Sequence, residues 1–213
     1  MIKGIDISNN NWDYLAAHDF APLKDGDGFV MMKASEGRTY KDRFVNLYYA
    51  VLHGQIDTPE RERERERLYG FYHFARPENG NSAASEALNF WQIAGRHKGH
   101  AVYALDVEAN ALILPAEYLD QWVYDWCKWI YDISGVRPLI YCSASCTKRF
   151  PKAVELGCGL WVAKWSKNKP TKKDIGKWPF WAIWQNSNGG GTLDTDYFNG
   201  TAEQFRKYAK AEL

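Results

Sequence analysis

Short apolar runs recur along the chain, most with polar residues at alternate positions. "IKGIDIS" (2–8), "GFVMMKASEG" (28–37), "LYGFYHFARP" (68–77) and "HAVYALDVE" (100–108) each read as a strand. "RPLIYCSAS" (137–145), "GLWVAKWS" (159–166), "WPFWAIWQN" (178–186) and "TLDTDYF" (192–198) continue the series. Between the early strands the apolar period lengthens to that of a helix. "RFVNLYYAVLHG" stops at Gly54, a C-terminal cap signal, and "NSAASEALNFWQIAGRHKG" opens on Asn and Ser and carries Gly95 near its end. In "PAEYLDQWVYDWCKWIYDISG", Pro115 suits a first turn and Gly135 closes the helix. Trp122, Trp126, Trp129 and Ile133 are expected to share its buried face. The final "TAEQFRKYAKAEL" reads as a closing helix.

Strand–helix alternation at this spacing argues for an α/β sheet or barrel. The alternation then breaks down. "SNGGG" (187–191) cannot hold a helix, so the last two strands are expected to form an antiparallel hairpin. Residues 167–179 leave room for little more than one helical turn. The chain, at 213 residues, is also shorter than the roughly 250 typical of a full eight-helix barrel. An irregular barrel with missing helices is therefore expected. No repeat or low-complexity linker divides it, so residues 1–213 read as one domain. "RERERERL" (61–68) offers no apolar face as a strand and pairs like charges at i,i+4 as a helix. It reads as a solvated insertion before the third strand.

Composition narrows the function classes. A net charge of +1 argues against a broad nucleic-acid footprint. No apolar stretch is long enough to span a membrane, and "MIKGIDISNNNWDY" lacks the apolar run of a secretory leader. Cys127, Cys142, Cys146 and Cys158 are too few for a disulfide framework, and Cys142-x3-Cys146 lacks companion ligands at zinc-site spacing. Synthesis in a reducing cytoplasm is expected, as is a monomer. The 10 Trp and 13 Tyr fit either core packing or flat platforms for sugar rings.

The chemistry concentrates in "YALDVEAN" (103–110). Alternation puts Ala104, Asp106 and Glu108 on one face and the bulky Tyr103, Leu105 and Val107 on the other. The bulky face suits packing under helices, which leaves the acids facing into the barrel. The first strand places Gly4, Asp6 and Ser8 together in the same way, and Asp194 falls on the last strand. All four acids sit toward strand carboxyl ends, where barrel active sites lie. Clustered carboxylates raise one another's proton affinity, and a protonated Glu beside an ionised Asp suits glycoside hydrolysis. A metal site and simple polar strand ends remain the alternatives. Neither a D-x-D-x-D-G loop nor H-E-x-x-H occurs, and His73 reads as a hydrogen-bonded core residue, so no metal or cofactor is expected.

Taken in order, "GIDIS", "MKASEG", "GFYHFARP", "ALDVE", "PLIYCS", "LWVAKW", "WAIWQ" and "LDTDYF" resemble the family 25 glycoside hydrolases, the Chalaropsis-type lysozymes common among phage endolysins. The resemblance covers nearly the whole chain. It implies an irregular TIM-like (β/α)5β3 barrel that hydrolyses the β-1,4 bond between N-acetylmuramic acid and N-acetylglucosamine in bacterial peptidoglycan. It further implies Glu108 as the general acid, Asp106 as stabiliser of a positively charged intermediate, and Asp6 and Asp194 as residues that tune the pair and hold the sugar. Without a leader, delivery to the wall by phage lysis or another export route is expected. Same-face positions on a strand lie roughly 6.5–7 Å apart, which does not choose between retaining and inverting chemistry.

Candidate sugar contacts follow from alternation and from the motifs. Lys33 shares a face with Met31 and Ser35. Tyr72, Phe74 and Arg76 share another, with Arg76 placed to pair with a site carboxylate. Tyr141, Trp165 and Gln185 lie at strand ends, and Tyr72 and Tyr141 rank first as contacts. The insertion at 61–68 and Lys164, where an apolar residue is expected, depart from the family pattern. Rival functions are another glycosidase such as a chitinase, whose D-x-x-D-x-D-x-E run is absent; a non-catalytic glycan-binding barrel; and a metal-dependent hydrolase sensitive to chelators.

Overall fold

A computed structural model describes residues 1–24, 28–54 and 67–211. The strands are β1 (Ile2–Ile7), β2 (Phe29–Glu36), β3 (Tyr40–Lys41), β4 (Leu68–Phe74), β5 (Val102–Asp106), β6 (Leu139–Ser143), β7 (Gly159–Ala163), β8 (Ile183–Ser187) and β9 (Asp194–Phe198). The helices are α1 (Trp12–Ala17), α2 (Ala21–Lys24), α3 (Val45–Leu52), α4 (Ala83–Ala94), α5 (Ala116–Ser134), α6 (Pro151–Glu155) and α7 (Ala202–Tyr208). β1, β2 and β4 to β8 run parallel in sequence order, β9 is antiparallel to β8, and β9 closes the ring against β1. The result is an eight-stranded barrel with β3 as a short hairpin on β2. β1, β2, β4, β5 and β6 are each followed by a helix before the next barrel strand, β7 and β8 are not, and β9 leads into the closing helix α7.

Two packed layers follow from side-chain alternation. Outside the sheet, Tyr103, Leu105 and Val107 meet Phe90 of α4 and Trp126 of α5 in one buried cluster. Inside, Phe29, Leu68, Val102, Leu139, Ile183 and Phe198 fill the lower barrel, where Phe205 of α7 packs on Phe29 and Phe198 with ring centroids 5.1 Å apart. Gly4 makes room for this plug, because a Cβ there would lie 2.5 Å from the Phe29 ring. With the lower barrel full of hydrocarbon, the open space lies at the strand carboxyl ends. That packing positions the site.

Three of the expectations differ from the structure. Ile133 is 41% exposed. The buried stripe of α5 centres on Val123, Trp126 and Ile130, so Trp129 and Ile133 lie at its edge. The strand expected at 178–186 begins at Ile183, since Trp178 and Trp181 anchor the preceding segment in the outer core. Ser35 does not share the face of Lys33: a bulge between them turns Ser35 to the helix side, where its hydroxyl meets His73 Nδ1 at 2.8 Å. Leu68, shared by the charged run at 61–68 and the strand expected from 68, belongs to the strand as the buried first residue of β4. Residues 61–66 lie outside the described residues, while the Arg67 guanidinium donates to the carbonyls of Leu23 and Lys24.

Candidate active site

The carboxyl ends of the parallel strands and the amino end of antiparallel β9 surround a pocket of about 260 Å³. Asp194, expected toward a strand carboxyl end, instead opens its strand and still reaches the site because β9 runs the other way. Asp6, on β1, stands in register with Met31 of β2 and Asp194 of β9. Asp106 ends β5, and its carbonyl accepts from the Ala75 amide. The Val107 amide donates to Tyr141 O, so the chain stays tied to the sheet one residue further. Glu108 is extended, with φ −146° and ψ −169°, which keeps its side chain on the Asp106 face. The chain then turns at Ala109, a non-glycine residue at φ +49°. Such a conformation costs roughly 1–2 kcal/mol and lifts the chain away just behind Glu108. All four acids line the pocket.

Gln185 of β8 organises them. Its Nε2 donates to Asp6 Oδ2 at 2.8 Å and to Asp194 Oδ2 at 3.0 Å. Its Oε1 accepts from Tyr141 Oη at 3.0 Å and from Trp165 Nε1 at 2.9 Å. An indole N–H only donates, which fixes the amide with its oxygen toward Trp165 and its nitrogen toward the acids. Two donors and two acceptors are thereby used by a side chain that is 2% exposed. The pocket's acids hold their spacing through this one amide.

Burial, ahead of mutual repulsion, sets the acids' proton affinity. Asp6 is pushed up to about 7, by burial first and then by the charge on Asp194. Asp106 lies well above the usual carboxylate range for the same first reason, with Glu108 second. Its Oδ1 is buried and meets no hydrogen-bond partner among the described residues. Glu108 is raised by burial and by Asp194, against the lowering pull of Lys33 and Arg76. Sequence reasoning set a protonated Glu108 against an ionised Asp106; the structure raises both, and the deeper Asp106 more strongly. The Tyr72 and Tyr141 phenols, buried over these acids, are pushed up and stay protonated as donors.

Lys33 is the cation of the pocket. It bonds Glu36 at 2.6 Å and lies 4.7 Å from the centroid of the Phe74 ring, against which it packs. The bulge after Lys33 is what brings Glu36 round to its side of the sheet. Arg76 pairs with Glu36 at 2.6 Å and with Glu78 at 3.3 Å. Its carboxylate partners are thus neighbours of the pocket and none of the four acids.

Of the residues expected at the site, Lys33, Tyr72, Phe74, Tyr141 and Gln185 line the pocket beside the acids. Trp165 stands at the rim, 61% exposed and tied by its indole to Gln185, and Arg76 lies behind the wall. Lys164 is held away by Asp174 at 2.9 Å. Ser8, Asn10, Asn11 and Trp161 also line the pocket, and Asp196 lies buried beneath it. Ser8 caps a short 3-10 turn at Asn9–Asn11, and Asn11 donates to the Thr192 carbonyl across the mouth. Alternation carries the signal for two of these: Trp161 shares the face of Trp165, and Asp196 that of Asp194. No group of three or more His, Cys, Asp or Glu among the described residues is arranged to hold a metal ion. His73 instead bridges Ser35 and Glu86, with its Nε2 2.8 Å from the Glu86 carboxylate.

Comparison with known proteins places this geometry. The chain is 28% identical to an N,O-diacetylmuramidase of Arthroderma benhamiae, over 98% of this chain and 87% of that protein. A family 25 lysozyme from Aspergillus fumigatus superposes with a TM-score of 0.74 and 30% identity, covering 98% of this chain and 99% of that one. A muramidase from Acremonium alcalophilum gives a TM-score of 0.75 and 26% identity over the full length of both chains. The family description "Glycosyl hydrolases family 25" matches residues 5–195, and the chain belongs to that family.

Proposed function

We propose that this glycoside hydrolase is a muramidase, cleaving the β-1,4 bond between N-acetylmuramic acid and N-acetylglucosamine in bacterial peptidoglycan. One observation carries the reading: Asp106 and Glu108 project from adjacent same-face positions into a pocket that also receives Asp6 and Asp194. The relatives named as muramidases and lysozymes supply the substrate class. Glu108 is the general acid. Burial and the charge of Asp194 raise its proton affinity and so favour the acid form, and it is the more accessible carboxyl of the pair. It protonates the glycosidic oxygen as the bond to the sugar ring breaks. Asp106 gives up its proton to solvent in the open pocket as positive charge approaches, and its carboxylate then stabilises the charge developing on the sugar. A water molecule that yields its proton to the Glu108 carboxylate supplies the new C–O bond and restores the acid. Lys33 pulls both carboxyls downward and so limits how tightly the pocket holds its protons.

Tyr72, Phe74 and Tyr141 form walls against which a sugar ring packs, and Trp165 offers an exposed platform at the rim. Asp6 and Asp194, oriented by Gln185, accept from sugar hydroxyls. One chain supplies every acid, so the site is complete in a monomer acting on wall glycan. The test is product analysis. Purified Gram-positive walls are digested, the new ends are reduced with borohydride and identified by mass spectrometry. Muramitol ends are expected; glucosaminitol ends would replace the reading with a glucosaminidase.

A further inference from the structure

Asp196 is a fifth carboxyl in the barrel, and the chemistry above gives it no task. It is 0% exposed. On β9 it lies in register with Gly4 of β1 on one side and Gln185 of β8 on the other, two residues along from Asp194. Trp161 Nε1 donates to its Oδ1 at 2.8 Å. Its Oδ2 is buried and meets no donor among the described residues. On the neighbouring strand Asp6 shares its inward face one same-face position away, Asp6 standing opposite Asp194 and Asp196 opposite Gly4. The two carboxyls are therefore diagonal neighbours, and Asp6 is the acceptor placed for that oxygen.

Two carboxyls hydrogen-bond only when one of them holds a proton. The other bonds decide which. Asp6 already accepts from Gln185 Nε2 at 2.8 Å, a bond that favours its charged form. Asp196 receives a single indole donor on one oxygen, and its other oxygen gains a partner only by carrying a hydrogen of its own. We infer that Asp196 is a positioning residue that keeps the proton of the Asp6–Asp196 pair and donates it to Asp6 as a hydrogen bond. Burial first, and the charge of Asp6 second, push the Asp196 carboxyl well above the usual range, in the same direction. Besides Asp6, the titratable groups facing it are Asp194 on its own strand and Tyr141 from β6; Trp161 and Gln185 are neutral.

The shared proton has two consequences. It aims Asp6 from below while Gln185 holds it from the side. It also keeps the pair at one negative charge, which limits the field that holds the Glu108 proton. The second consequence rests on the muramidase reading above; the location of the proton does not.

The test is infrared difference spectroscopy of the ligand-free enzyme at neutral pH, with kinetics on the same variants. A protonated-carboxyl carbonyl band present in the wild type is expected to disappear in Asp196→Asn. The same band should shift in Asp6→Asn, a variant that leaves Asp196 in place. Asp196→Ala removes the donor and is expected to lower kcat/KM about tenfold or more. Asp196→Asn restores a neutral donor to Asp6 and an acceptor for Trp161, and should recover most of that loss. An unchanged band in Asp196→Asn, or an Asn variant as inactive as Ala, would overturn the assignment. If the band behaves as expected and the wild type leaves walls uncut, the muramidase reading fails and the shared proton stands.

Discussion

Replacing Asp6 with Asn is expected to stabilise the protein at neutral pH while removing most of its activity. Burial and Asp194 lift the Asp6 carboxyl from an ordinary 3.8 to about 7. A carboxyl raised on folding holds a proton that the unfolded chain releases. Its stabilising contribution is therefore complete below about 3.8 and is lost as pH rises through about 7. The ceiling on that loss is about 4 kcal/mol at pH values above 7. Sharing a proton with Asp196, and the need to seat an amide against Gln185, reduce the expected gain in the Asn variant to about 2 kcal/mol. The gain should shrink steeply towards pH 4 and vanish below about 3.8, because Asp6 of the wild type is then protonated in the folded and the unfolded chain alike. Urea denaturation at pH 4.5 and 7.5 reads the difference directly, and the neutral-pH gain corresponds to a Tm rise of roughly 4–8 °C. A stability difference equal at the two pH values, or an Asn variant less stable at pH 7.5, would refute the reasoning.

Three further outcomes follow from the same geometry. Gln185→Leu strips the bridge from Asp6 and Asp194 and the acceptor from Tyr141 and Trp165, for a loss of about 2–4 kcal/mol in urea denaturation. A variant within 0.5 kcal/mol of wild type, on the order of an ordinary surface change, would show that the amide is not the organiser. Asp106→Asn is expected to lower kcat by on the order of a thousandfold and Asp194→Asn about tenfold, measured by release of reducing sugar from walls. The reverse ranking would move the stabilising role to Asp194. His73→Ala leaves the Ser35 hydroxyl and one bond of the Glu86 carboxylate unmet in the outer core, at about 3 kcal/mol. Below its melting range this variant should keep its kcat, and a large fall in kcat would place His73 in the chemistry.

Strict period-2 alternation made most of the site readable before any coordinates. Asp106 and Glu108 face inward because β5 is regular and Glu108 continues its extended backbone, and the spacing of Tyr103, Leu105 and Val107 identifies the outer face. The Gly-rich "SNGGG" likewise revealed that no helix separates β8 from β9, whereas the link between β7 and β8 is longer than the one that holds α6 and covers the sheet with Trp178 and Trp181 instead. What escaped was local irregularity and depth. The bulge after Lys33 reverses the face of Ser35 and delivers Glu36 to Lys33 and Arg76, and nothing in "MKASEG" marks it. Asp196 was within reach of the alternation argument, yet its burial depends on Trp161 of a different strand. The ordering of proton affinities also escaped, because it follows depth below the pocket mouth, and sequence spacing carries no depth.

Glu108 as the proton donor is the role most open to a direct test. Glu108→Gln preserves size and hydrogen-bonding reach and removes the transferable proton. Wall clearing by this variant should fall by on the order of a thousandfold or more, with sedimentation onto walls and thermal unfolding close to wild type. A Gln variant that clears walls at near wild-type rate would contradict the account and take Glu108 out of the acid role.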